Sequence, residues 1–261
     1  MLRPRIIPCL LVQNGGLVKT VQFAKPKYVG DPINAVKIFN EKEVDELFVA
    51  DIDATVKGNE PDYALITKLA AECRMPLCYA GGVGTAQQVQ DIISLGVEKV
   101  AISSEAVARP ELVKEAAERV GSQSIVVVLD VKKRGLRSRY EIHTHNGRKS
   151  TSLDPVAFAE AMEDAGAGEI VVNSIDCDGM MKGYDSKLIA RIRAAVSLPI
   201  TALGGAGSLS DIESLITNFG LIGASAGSLF VFKGVYRAVL INYPKAGEKD
   251  LLFQRVQGSF S

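Results

Sequence analysis

The chain has 261 residues, 47% hydrophobic and 23% charged, with 30 basic and 30 acidic side chains and a formal net charge of zero. That length is ample for one α/β domain with a full core. The charge balance excludes a bulk electrostatic surface for nucleic acid or membrane, leaving room only for a local basic patch, and no apolar run approaches the ~20 residues of a membrane span.

The N-terminal stretch MLRPRIIPCLLV reads as a first strand from Arg5 rather than a secretion signal, because it passes into QNGGLVK without a cleavage-type site. A helix is expected from Asp31-Pro32, a capping residue followed by proline at the first helical position. Strand candidates then follow at ELFVADI from Glu46, PLCYA from Pro76, KVAIS from Lys99 and SIVVVLD from Ser124. The second half supplies EIVVNSI from Glu169, PITAL from Pro199 and LIGASA from Leu221. Helices are expected between them, starting near Asp62, Thr85, Pro110, Asp154, Asp185, Ser208 and Lys233. Continuous apolar runs of this kind suit parallel strands buried on both faces. Eight strands alternating with eight helices point to an α/β fold, a single (β/α)8 TIM barrel over residues 1–244, in preference to an open doubly wound sheet. Residues 245–261 are set apart as a C-terminal tail of mixed character.

The chain also resembles itself. A shift of 123 positions carries Glu46 to Glu169, Ile52 to Ile175, Asp53 to Asp176 and Pro76 to Pro199, and carries Gly81, Gly82 and Gly84 to Gly204, Gly205 and Gly207. A shift of 119 aligns the first strand with the fifth, Leu10 with Leu129 and Val12 with Val131. The barrel therefore reads as two duplicated half-barrels, with its catalytic mouth at the strand C-terminal ends.

Each half holds a glycine turn between strand and helix, with Gly82 and Gly84 in the first and Gly205 and Gly207 in the second. Glycine lets backbone approach a ligand, and a following helix start offers N–H groups to an anion. The next strand of each half ends in small residues, Ser103-Ser104 and Gly227-Ser228, which complete two phosphate cradles across one mouth. Asp178 and Gly179 are expected beside the second cradle, and Lys19, in the loop after the first strand, is a candidate cation for a phosphate. The expected ligand is a phosphorylated small molecule, and no cofactor or metal is implied. Asp130 closes the fifth strand, where a barrel places catalytic groups, and is the candidate general acid or base. Its partner under the 119 shift is Leu11. Asp51 and Asp53 offer further carboxylates, Asp53 equally readable as a loop fastener.

His143 and His145 sit in a hairpin from Tyr140 to Lys149 turned at Asn146-Gly147, with both rings on one face, and read as surface residues rather than metal ligands. Cys9, Cys73, Cys78 and Cys177 have neither metal-ligand nor disulfide-framework spacing, which implies a cytoplasmic, reducing setting. At the strand starts, Arg5, Glu46, Lys99 and Glu169 can close a ring of ion pairs at the lower end of the barrel.

The stretches RIIPCL, GDP at Gly30 to Pro32, DELFVADI, GGVG, GSQ at Gly121 to Gln123, SIDCDGMMKGYD and LPITALGGAG together resemble the cyclase subunit of imidazole glycerol phosphate synthase, over roughly residues 1–243. The resemblance implies a substrate with two phosphates, ammonia from a glutaminase partner docked on the N-terminal face, and an ammonia gate made by Arg5, Glu46, Lys99 and Glu169. The family's two catalytic aspartates map to positions 11 and 130, so this chain keeps Asp130 and carries leucine at the other. Asn173 and Leu203 are milder departures. Leucine at position 11, in CLLVQNGGLVK, looks like a branch of the family that serves sugar amidination in surface-polysaccharide biosynthesis. The alternatives are a genuine histidine-pathway cyclase using Asp130 with another carboxylate such as Asp51, and a catalytically silent barrel that binds a phosphorylated metabolite and activates its glutaminase.

Overall fold

Eight strands form the frame: Arg5–Gln13 (β1), Leu47–Asp51 (β2), Leu77–Ala80 (β3), Lys99–Ile102 (β4), Ile125–Arg134 (β5), Glu169–Ser174 (β6), Ile200–Leu203 (β7) and Gly223–Ala226 (β8). Each pairs in parallel with the next, and β8 pairs back onto β1 with Arg5 opposite Gly223, so the sheet closes into a (β/α)8 barrel. This computed structural model describes residues 3–135, 139–234 and 236–258.

The helices of the outer layer are Pro32–Glu41 (α1), Tyr63–Glu72 (α2), Ala86–Ser94 (α3), Glu111–Val120 (α4), Pro155–Asp164 (α5), Ser186–Ala195 (α6), Leu209–Phe219 (α7) and Ala246–Gly258 (α8). Local chemistry starts most of them where the sequence indicates. Asp31, Asp62, Asp154 and Asp185 each accept a first-turn N–H, with Pro32 and Pro155 at the first helical positions. Thr85 with Gln88, and Ser208 with Asp211, form two reciprocal capping boxes 123 residues apart. Outward-facing Ile6, Leu10, Leu47 and Val49 pack against Val36, Phe39, Ile66 and Leu69, all nearly fully buried. Each such side chain contributes roughly 1.5–3 kcal/mol of transfer free energy. A separate inner core of Ile7, Cys9, Phe48, Cys78, Ala101, Val126, Val128 and Val171 fills the barrel itself.

Both half-barrels extend their first strand into antiparallel structure. β1 continues into Gly16–Val21 and Ala24–Gly30, and β5 into Arg139–Thr144 and Lys149–Ser150. Lys19 accordingly lies on a strand, not in a loop, and is buried.

The expected helix at Lys233 does not form. A single helical turn, Ser228–Val231, leads instead into Phe232–Lys233, which pairs antiparallel with Ala238–Val239. Gly234 at φ +72° turns the chain there, and burial of Phe230, Val231 and Phe232 holds the run against the barrel. The last helix begins only at Ala246. Its first turns reach the start of β2 through Lys249 and Asp45, while Arg255 pairs with Glu213 in the second turn of α7 at 2.8 and 3.0 Å. It therefore climbs from the lower face toward the mouth, with Leu252 and Val256 buried beneath it.

Candidate active-site mouth and charged lower ring

The C-terminal strand ends surround a cavity into which Asp130 projects from β5 and Leu11 from β1, the strand diametrically opposite. Asp130 accepts a hydrogen bond from Asn173 Nδ2 at 2.8 Å and one from Ser103 Oγ at 3.1 Å. Burial pushes its carboxyl up to about 6, against the lowering effect of those two donors and with Asp178 adding to the rise. A group with this value exchanges protons near neutral pH, as a general acid or base requires. Among the described residues Asn173 Oδ1 is buried beside it without a hydrogen-bond partner, so this amide directs its NH2 to Asp130 at the expense of its own carbonyl. Leu11 offers no second polar group across the cavity.

The raised value has a stability consequence. The folded chain binds the Asp130 proton more tightly than an unfolded chain, where the ordinary value is 3.8, so stability declines as pH rises from about 4 to about 6 and stays lower above that. Asp130→Asn escapes this decline. Its melting midpoint is expected to exceed the parent's by about 2–4 °C at pH 8, roughly 1 kcal/mol after discounting for solvent contact, and to converge with it near pH 4. Scanning calorimetry at the two pH values checks this, and an equal offset at both would contradict it.

Most of the sequence-predicted binding residues converge here: Lys19, Asp51, Gly82, Ser103, Ser104, Asp178, Gly179, Gly205, Gly227 and Ser228 all line the cavity. The glycines are sterically required. A Cβ on Gly82 (φ +70°) would fall 2.7 Å from the carbonyl of Asn59, and one on Gly205 (φ +119°) 2.1 Å from that of Gly183. Lys19 Nζ would lie 1.9 Å from a Cβ on Gly227, so the absence of a side chain there makes room for the buried ammonium beside the Gly227-Ser228 turn.

Gly84 and Gly207 stand apart from the cavity. The N–H of Gly84 is taken by Gln88 Oε1 at 2.8 Å, and that of Gly207 by Asp211 Oδ2 at 2.9 Å, each the third residue of its helix and the closing member of its capping box. Several hydroxyl and carboxyl groups are likewise engaged. Ser103 serves Asp130, and Ser104 Oγ accepts the His145 N–H at 3.1 Å. Asp178 accepts from Thr20 Oγ1 at 2.8 Å and ties the β6 loop to the β1 hairpin. Asp51 accepts the N–H groups of Asp53 and Ala54, while burial raises its carboxyl. Asp53 fastens Gln13, Asn14 and Lys57, the loop role open to it from the sequence.

The histidine hairpin needs correction. His145 is not on a strand alternating with His143; it lies in the turn at φ +54°, and with Asn146 it lines the mouth. Asn146 Nδ2 donates to the carbonyl of Ile52 at 2.7 Å, drawing the hairpin across the barrel. Burial and the nearby Lys149 lower the His145 imidazole below its ordinary value, against the pull of Glu105. Nothing in its local sequence marks it as a mouth residue, because hairpin curvature places it there.

At the opposite end the four predicted charges form a closed ring. Arg5 Nη1 pairs with Glu46 and Arg5 Nη2 with Glu169 at 2.7 Å; Lys99 Nζ pairs with Glu46 at 3.0 Å and with Glu169 at 2.9 Å. Thr201 Oγ1 donates to Glu169 at 2.5 Å. Burial opposes the charge on Glu169, but Arg5 and Lys99 outweigh it and hold the carboxyl below its ordinary value. For Arg5 and Lys99 burial is likewise outweighed by the two glutamates, and both are raised. A Cβ on Gly223 would fall 1.9 Å from Thr201 Oγ1, so β8 must begin with glycine beside the ring. The mouth reaches down to Phe48, Ala101, Cys9 and Val128. The remaining inner-core residues, Ile7, Cys78, Val126 and Val171, separate it from the ring by a thin apolar layer.

A sequence model of a family described as "Histidine biosynthesis protein" matches residues 5–237. The chain is 54% identical over 253 residues to the "Putative imidazole glycerol phosphate synthase subunit HisF" of Leptospira interrogans, covering 97% of this chain and 100% of the relative. It is 56% identical over 249 residues to the hisF3 subunit of the same description in Vibrio vulnificus, covering 95% and 96%. The hisF2 subunit of Pseudomonas aeruginosa, again of that description, is 49% identical over 251 residues, covering 96% and 100%.

Proposed function

The chain belongs to the histidine biosynthesis protein family, and from that footing we propose that it is the cyclase-type barrel subunit of a glutamine amidotransferase complex, one that takes ammonia from a glutaminase docked on its N-terminal face and carries it to a phosphorylated substrate in its mouth. Two features support the route. The ring of Arg5, Glu46, Lys99 and Glu169 presents an entrance lined by charge. Above it, the apolar layer of Ile7, Cys78, Val126 and Val171 favours a small neutral molecule such as ammonia over ammonium or other ions. The two glycine cradles lie after β3–β4 and β7–β8, on opposite sides of the mouth, with Lys19 at the second; this spacing suits a ligand with a phosphate at each end.

The observation that carries the rest of the reading is Leu11 opposite Asp130. Ring closure to imidazole glycerol phosphate in this family draws on two carboxylates, and this mouth supplies one of them. Asp51 is a poor substitute because it ends β2 rather than the strand opposite Asp130, and two backbone N–H groups share its Oδ1. Asp130 alone can move one proton, which suffices to bind and pass on ammonia but not to divide the acid and base roles of cyclisation. The chain thus serves amidination of a sugar in surface-polysaccharide biosynthesis, in a cytoplasmic setting. Purified protein given ammonium and the diphosphorylated histidine-pathway substrate is expected to turn over ~10²–10⁴-fold more slowly than a cyclase with both aspartates. Comparable turnover would sink the amidination reading and leave a histidine-pathway cyclase.

A further inference from the structure

The run from Ala238 onward lies beyond residue 237, where the family match ends, and it returns to the lower face beside the charged ring. Tyr243 Oη donates to the carbonyl of Ile6 at 2.8 Å and accepts the N–H of Asp45 at 3.2 Å. Asp45 in turn accepts the N–H of Ile6 at 2.9 Å through one carboxylate oxygen and Lys249 Nζ at 2.8 Å through the other. Lys249 also donates to the carbonyl of Glu43 at 3.3 Å, and its ammonium lies 5.1 Å from the centre of the Tyr243 ring. Arg3 approaches Asp45 from the exposed side at 3.7 Å.

The position of this clasp is specific. Ile6 follows Arg5 and Asp45 precedes Glu46, so the network grips β1 and β2 one residue away from an ion pair of the ring on each strand. Lys249 and Asp45 are 9% and 7% exposed, and a buried pair of this kind gains little net stability over apolar packing. What it does fix is distance and register between the two strand entrances: both Tyr243 bonds reach backbone atoms of Ile6 and Asp45, and Lys249 holds the Asp45 carboxylate that takes the Ile6 N–H.

We propose that Tyr243 and Lys249 are positioning residues for the lower ring: through Asp45 and Ile6 they set the separation of Arg5 and Glu46 and so keep the barrel entrance shut. The C-terminal segment thereby couples the lower face to the ring, and a protein docking on this face can open the ring by pulling on the clasp. This rests on the reading of the ring as the ammonia entrance.

Cys78 offers a readout that needs no partner. It is 1% exposed and lies in register with Lys99; burial above all, then Glu46 and Glu169, push its thiol up against the opposite effect of Lys99, so labelling is slow until the site opens to water. Cys9, by contrast, lines the mouth. The full chain is treated with methyl methanethiosulfonate, and labelling of each cysteine is followed by peptide mass spectrometry. Lys99→Ala, which breaks the ring directly, is the reference. Tyr243→Phe keeps the aromatic packing and loses both hydroxyl bonds; Lys249→Met keeps the stem and loses the ammonium. Each is expected to raise the Cys78 rate about fivefold, the loss of one net hydrogen bond of ~1 kcal/mol, with Cys9 and Cys73 unchanged. Unchanged Cys78 in both variants, with Lys99→Ala raising it, overturns the coupling and leaves the entrance reading intact. A parallel rise at Cys9, Cys73 and Cys78 also overturns the coupling, since it reports general loosening. If Lys99→Ala itself leaves Cys78 unlabelled, the ring is no closure, and the entrance reading falls together with the coupling.

Discussion

Leu11→Asp is expected to raise ammonium-dependent cyclisation of the histidine-pathway substrate by ~10²–10⁴-fold over the parent chain, the usual contribution of one positioned acid or base. The geometry favours this gain. Position 11 is on β1 and lines the same cavity as Asp130 on β5, and the cradles, Lys19 and Asn173 are already in place around it. A second carboxylate across the cavity supplies the other titratable group, so that it and Asp130, raised to about 6, can divide the acid and base roles. Leu11→Asn supplies polarity without a titratable proton and is expected to stay near the parent rate. Steady-state assays over pH 5–9 separate the two, since only the aspartate variant should show a bell-shaped profile. If Leu11→Asp folds, binds the substrate and stays inactive, position 11 is not what removes cyclisation, and attention shifts to Asn173 and Leu203.

Glu169→Gln carries the second large effect. Glu169 is 6% exposed and neutralises both Arg5 and Lys99, so its loss leaves two cations sharing Glu46. Breaking a buried pair typically costs about 3–5 kcal/mol. Arg5 and Lys99 retain 28% and 19% side-chain exposure, which reduces the expected cost to about 2–3 kcal/mol, a fall in melting midpoint of roughly 5–10 °C. The pH dependence has a definite sign. The carboxyl is held below its ordinary value, so its contribution is complete above the unfolded value and is lost as pH falls through the folded one. The parent and Glu169→Gln should therefore differ fully at pH 7 and converge only as pH falls through that depressed value. If the ring is the ammonia entrance proposed above, the same variant in a complex with a glutaminase should lose glutamine-driven product, while product from added ammonium, which can reach the open mouth directly, stays within about twofold. Equal losses by both routes would place the effect on the mouth rather than on the ring.

Much of this molecule is legible without coordinates because its signals are local or repeated. Asp31-Pro32, Asp154-Pro155 and the two capping boxes start helices through bonds that span three residues, and they form where the sequence places them. The strand starts carry the ring charges, and closure of an eight-stranded parallel sheet brings strand starts together, so Arg5, Glu46, Lys99 and Glu169 meet. Gly84 and Gly207 mislead because glycine spacing does not reveal which N–H groups a cap residue will take; Gln88 and Asp211 take these two.

The sequence by itself determined the doubled barrel, the two glycine turns and the mismatch of Leu11 with Asp130, since periodicity, capping and internal repetition are written in neighbouring residues. Only the tertiary structure decided what each group touches. Asp130 owes its raised carboxyl to burial between β4 and β6, against the pull of Ser103 and Asn173. His145 enters the mouth because a hairpin curls over it, and Lys19 reaches the Gly227 turn because glycine leaves room there. The last helix runs upward, with Tyr243 and Lys249 clasping the ring's neighbours, because Gly234 and a buried aromatic run displace the helix expected at Lys233. Each of these depends on residues distant in sequence, whose meeting is set by packing rather than by local preference.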